Sequence, residues 1–248
     1  MTLFYETWIS TIKTTHAEFS LCLIGVIFYS VIRLIVSIFA PIPILTQRKI
    51  DEKSHSEKEI KKELREYISY LVAFVNVSVS PFLTVHYLLT NPYTLDKQDD
   101  NISHELMITY FSFSYFVFDS LMMIIGKVDI DPLWVFHHLI TIGFMLPTIM
   151  YHRYPVETIM LLCIGELSGP FNHMRVLFKY FEYHGIWDTI ISGAFCIVFI
   201  FARVFLAEVS LSQVFYSTHS IYYKLFLIPV WWIGFIWVWQ ILNLAPKI

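Results

Sequence analysis

The chain has 248 residues, of which 56% are hydrophobic and only 15% charged, with a net charge of −3. Soluble domains carry nearer a quarter charged residues, so a water-soluble globular protein is excluded, and no basic stripe marks a nucleic-acid partner. A mean hydropathy of +0.60 fits a chain whose solvent is the bilayer.

The fold expected is all-α, a multi-pass transmembrane bundle of about seven spans. Each approaches the ~20 apolar residues that cross a hydrocarbon core. The first runs from about Phe19 to Phe39 and stops at Pro41 and Pro43. It is too long for a signal-peptide core and is interrupted by Arg33, so a retained span is expected. Residues 1–46 thus form an N-terminal transmembrane helix. Residues 47–66, rich in Lys and Glu, form a charged linker whose spacing suits a short solvated helix. The second span covers about Tyr67 to Leu89, with Pro81 as an expected kink. An acidic loop over residues 96–105 carries a glycosylation sequon at Asn101, and a second sequon at Asn76 falls inside the span. The third span covers Leu106 to Ile125, the fourth Leu133 to Tyr151, and the fifth starts at Pro155 and runs towards Phe178. Gly165, Gly169 and Pro170 are expected to bend the fifth. The sixth runs from about Asp188 to Val209, and the seventh from about Leu225 to Leu244, with Pro229 in its first turn.

Orientation follows from Lys and Arg. With residues 47–66 in the cytosol, eleven basic residues fall on the cytosolic side and four on the other. That bias puts the N-terminus in the lumen and the C-terminus in the cytosol. The three cysteines, Cys22, Cys163 and Cys196, lie in apolar runs without metal or disulfide spacing. A single His-His pair supplies too few ligands for a di-iron centre, so no metal site and no required cofactor are expected.

The informative residues are those that are costly to bury in lipid. A charge near the membrane centre costs about 2.5–3.5 kcal/mol. At ~1.5 Å per residue, Asp119, His137, His138, Asn172 and Arg175 fall about 5–9 Å below one surface, on three successive spans. One imidazole of the pair would act as base or nucleophile, oriented by Asp119, and Arg175 with Asn172 would hold an anionic part of a substrate. Glu166 and Arg203 form a deeper set, read as a buried Arg203–Glu166 or Arg203–Glu157 pair that also borders the substrate. The chemistry this layer suits is acyl transfer from acyl-CoA, as co-substrate, to a lipid amine or hydroxyl. The alternative is that these groups are interhelical glue, each contributing roughly 0.6–2 kcal/mol, in a protein that binds or senses lipid without turnover.

Four segments carry a family likeness: FSYFVFD at 113–119, DPLWVFHHLIT at 131–141, GELSGPFNHMR at 165–175 and FIFAR at 199–203. Together they resemble the TLC domain shared by the translocation-associated TRAM proteins, ceramide synthases and CLN proteins, and look closest to the small TLC-domain-containing proteins. The resemblance spans roughly residues 60–245 and implies a six-helix TLC core, drawn here at 67–245. It further implies residence in the endoplasmic reticulum, a role in membrane lipid homeostasis, and catalytic roles for His137 and His138, with Asn172 and Arg175 in the family's N-x-x-R segment. Arg175 is followed by VLFKYFEYHGIWD in place of the ceramide synthases' acidic stretch, which argues against dihydroceramide synthesis. The partners expected are membrane lipids, with a homo-oligomer left open and nucleic acid excluded.

Overall fold

The computed structural model describes residues 2–52, 56–91, 103–126, 132–216 and 221–244. The sequon at Asn101, Lys127 and Lys247 lie outside them. Every regular element among the described residues is helical. The order is α1 (Thr2–Phe39), α2 (Ile44–Asp51), α3 (Glu57–Thr90), α4 (Ser103–Gly126), α5 (Pro132–Tyr151), α6 (Pro155–Glu166) and α7 (Gly169–Tyr180). Then come α8 (Ile186–Ile200), a π-helical stretch (Phe201–Leu206), α9 (Ala207–Tyr216) and α10 (Ile221–Leu244).

Five helices are long and apolar enough to cross a membrane, and Leu227–Asn243 forms a shorter apolar one. The remaining pass is broken. Pro170 has no N–H to give to the carbonyl of Glu166 and its ring crowds that oxygen, so the helix stops and restarts as α7. The expected bend in the fifth span is therefore a full interruption. Gly169, which opens α7, permits close approach to α3, since a Cβ there would stand 2.8 Å from Val77 Cβ.

Four other elements differ from the sequence expectation. The second span starts ten residues early, at Glu57, because Ser56 and Glu59 form a reciprocal capping box there. Nor is the charged stretch a solvated linker throughout. Glu63 of α3 accepts from Thr46 Oγ1 at 3.1 Å and Lys49 Nζ at 2.8 Å, which docks α2 on α3, while Arg48 pairs with Glu182 after α7. Pro229 lies well inside α10, which begins at Ile221. The sixth span is one α-helix only as far as Ile200, and its π stretch carries it on into α9.

The outer face of α1 is apolar and exposed, with Ile24, Leu34 and Ile38 all turned outward, as a lipid-facing surface requires. Its inner face buries Tyr29 against Phe111, Tyr115 and Phe118 of α4. The Tyr29 hydroxyl donates to Asn76 Oδ1 at 3.2 Å, so the sequon asparagine inside the span is fully buried. Hydroxyl pairs tie neighbouring helices, Ser80 to Ser112 at 2.9 Å and Thr148 to Thr158 at 2.7 Å. These pairs are interhelical glue in the plain sense, satisfied and closed. All three cysteines are free thiols.

Candidate functional site

A cavity of about 600 Å³ opens inside the bundle, walled by α3, α4, α5, both halves of the broken pass, α8 with its π stretch, and α10. On α3 it runs from Glu66 to Val77, ~16 Å of helix rise. That size suits a small-molecule or lipid-headgroup ligand. Asp119, His137, His138, Glu166, Asn172, Arg175 and Arg203 all stand in its wall. The two sets that depth arithmetic had kept apart thus share one chamber.

His138 is almost fully buried. The Ser120 hydroxyl donates to the Phe116 carbonyl at 2.7 Å, so its oxygen can accept from His138 Nδ1, 3.2 Å away. An Nδ1–H tautomer suits this arrangement and would leave the lone pair on Nε2. Nε2 faces Asp119 Oδ2 at 3.7 Å, too far for a direct hydrogen bond. Ser120 meets one ring nitrogen, and the Asp119 carboxylate stands across a gap from the other. Positive charge arriving on His138 would meet a ready counterion.

His137 turns elsewhere, as adjacent residues on a helix must. Its ring packs edge-on against Phe116 at 5.9 Å, Trp134 at 6.1 Å and Trp237 at 5.1 Å. Among the described residues its ring makes no hydrogen bond or ion pair.

Two arginines complete the polar wall. Arg175 Nη2 donates to Asn172 Oδ1 at 3.3 Å, one helical turn away, and the guanidinium lies 4.8 Å over the Phe195 ring. Arg203 does not form the expected ion pair with Glu157 or Glu166. Its Nη2 donates at 2.9 Å to the Gly165 carbonyl, one of the acceptors freed where α6 ends. Its face lies against Phe199 and Trp237, each 5.6 Å away. Gly234 leaves the room, since a Cβ there would stand 3.4 Å from Arg203 Cδ. The buried Glu166 stays within electrostatic range of Arg203 without bonding it. The Nε atoms of both arginines are buried with no hydrogen-bond partner among the described residues. Stacked guanidiniums with in-plane donors to spare are preorganised for an anionic or carbonyl oxygen.

Several wall residues escape sequence reasoning. His173, expected to be structural, borders the chamber; its Nδ1–H donates to the Gly169 carbonyl at 3.0 Å and its ring meets Tyr70 edge-on at 5.7 Å. Tyr70, Trp134, Trp237 and Ser69 also line it. Their residue types match ordinary interfacial or helix-surface positions, so only the bundle itself singles them out. Among the described residues no three His, Cys, Asp or Glu side chains converge as a metal centre would need.

An integral membrane bundle that closes helices around an imidazole-, carboxylate- and guanidinium-lined chamber is the class these observations define. Residues 66–245 match the family model of the TLC domain, so the chain belongs to the TLC-domain family, whose members are lipid-related membrane proteins. No curated protein matches the chain.

Proposed function

We propose that the protein is an endoplasmic-reticulum acyltransferase that moves an acyl chain from acyl-CoA to a membrane lipid inside this chamber. The observation that carries the reading is His138 set between Ser120, 3.2 Å from Nδ1, and Asp119, 3.7 Å from Nε2, an arrangement that in the Nδ1–H tautomer presents a lone pair on Nε2. A lipid hydroxyl or amine beside that pair, within hydrogen-bond reach of Nε2, gives its proton to Nε2 as its oxygen or nitrogen attacks the thioester carbonyl. The new imidazolium is stabilised by Asp119, and the carbonyl oxygen, now an oxyanion, lies among donors of the kind Arg175 and Arg203 offer. Collapse breaks the C–S bond, the thiolate recovers the proton from His138, and an ester or amide and free CoA leave. The surrounding Phe195, Phe199 and Trp237 supply apolar wall for acyl chain.

The test is turnover by purified protein in nanodiscs, offered a panel of acyl-CoAs and an extract of membrane lipids. Release of free thiol with formation of an acylated lipid is expected; a protein that binds lipid yet releases no thiol with any acyl-CoA overturns the reading. The sequence after Arg175, which lacks the ceramide synthases' acidic stretch, favours the second reading, lipid binding or sensing without turnover, in which ligand protects the fold and thiol release is absent.

The same proposal orients the protein with the N-terminus luminal and residues 47–66 and the C-terminus cytosolic, so that acyl-CoA reaches the chamber from the side of α2. A cysteine substituted for Lys58 should react with an impermeant maleimide only from the cytosolic face of sealed microsomes. Labelling from the luminal face alone would invert the arrangement.

A further inference from the structure

Arg33 stands in the middle of the apolar run of α1, between Ile32 and Leu34, where insertion of a cation costs about 2.5–3.5 kcal/mol. No ion pair offsets that cost among the described residues. Instead Arg33 Nη1 donates to Ser69 Oγ at 2.9 Å. Ser69 can accept because its own hydroxyl proton goes to the Arg65 carbonyl, also 2.9 Å away. Ser69 and Asp119 both belong to the chamber wall, and Arg33, bonded to Ser69, is within electrostatic range of Asp119. The depths agree: Arg33 is ~9 Å from the end of α1 at Phe39, and Asp119 ~10 Å from the end of α4 at Gly126. The other ionisable groups near this point are His138, from α5, facing Asp119, and, from α3, Arg65 beside Arg33 and Glu66 in the chamber wall. α1 lies wholly outside residues 66–245 that match the TLC domain.

We infer that the N-terminal helix completes the site, with Arg33 as a positioning residue that fixes Ser69 and sets a permanent positive charge within range of Asp119. Asp119 thereby feels two cations during the reaction, Arg33 and the transient imidazolium. The inference rests on the acyl-transfer reading for its consequence but not for its geometry, so the two are tested separately.

The experiment is a double-mutant cycle on the full-length protein in nanodiscs. R33Q keeps a hydrogen bond to Ser69 without the charge, R33K keeps the charge, and each is compared in wild-type and D119N backgrounds. R33Q should lower turnover about tenfold, a size usual for coupling between neighbouring groups. R33K should recover most of that loss, and R33Q should cost nothing more once Asp119 is Asn. Equal losses in both backgrounds with no rescue by Lys would reduce Arg33 to a packing residue and overturn the inference. If the wild type shows no turnover, acyl transfer fails but the cycle is read on the nitrogen NMR signals of the His138 imidazole. These should move with R33Q only while Asp119 is present. Signals indifferent to Arg33, or moved equally in D119N, sink the inference in that arm too.

Discussion

With His138 replaced by alanine, turnover is expected to fall by about 10²–10⁴-fold, the usual contribution of a positioned general base. His138 is only 3% exposed, so alanine also leaves a void and some stability will be lost. His138→Gln serves as the companion, since it restores volume and a hydrogen-bonding side chain without a base of suitable strength. Both variants should lose activity together while only alanine loses appreciable thermal stability. His137→Ala separates the pair: its ring meets Phe116, Trp134 and Trp237 and makes no hydrogen bond among the described residues. Its loss should loosen the α5–α10 contact and lower stability more than it lowers the chemical step. Retention of full turnover in His138→Gln, measured as thiol release, would remove His138 from the mechanism and leave the chamber as a binding site.

The second large effect is on the fold. A Cβ at Gly25 would stand 2.2 Å from Ser114 Oγ and 2.4 Å from Ser114 Cβ. The Oγ can rotate away, but Cβ is fixed to the backbone, so α1 must back away from α4. Gly25→Ala should destabilise the protein by about 1–3 kcal/mol, the usual cost of overpacking, read as a shift in denaturant or thermal unfolding. Ser114→Gly alone should cost about 0.5 kcal/mol through helix propensity. Combined, the two should be more stable than Gly25→Ala by itself, because the second glycine removes the atoms that clash. Simple addition of the two losses would show that the α1–α4 contact is not set by this close approach. Since α1 carries Arg33, Gly25→Ala should also disturb the chamber from a distance.

The span positions and the polar side chains were legible because the bilayer makes both conspicuous. Apolar runs announce helices, and Asp119, His138, Glu166, Arg175 and Arg203 are too costly in hydrocarbon to be incidental. Topology then brings them to one cavity. What stayed hidden depends on angles rather than composition. Ser120 meets His138 Nδ1, yet a serine in a helix looks neutral in a sequence. Trp237 and Tyr70 look like members of interfacial aromatic belts until α10 and α3 turn them inward. The Arg203–glutamate pair was a sound guess from charge alone, but the helix break at Gly169-Pro170 frees a backbone carbonyl that receives the guanidinium instead. The early start of α3 could have been read from Ser56 and Glu59, whose three-residue spacing is a helix-start signature.

The π-helical stretch from Phe201 to Leu206 bears on how relatives should be compared. A π-turn accommodates one residue more than the α-helix around it, and one residue is worth about 100° of rotation. Deletion of a single position there would swing Arg203 away from Gly165 while every chamber side chain kept its identity. Gaps in an alignment across those six positions therefore say more about whether a homologue keeps this floor than any substitution does.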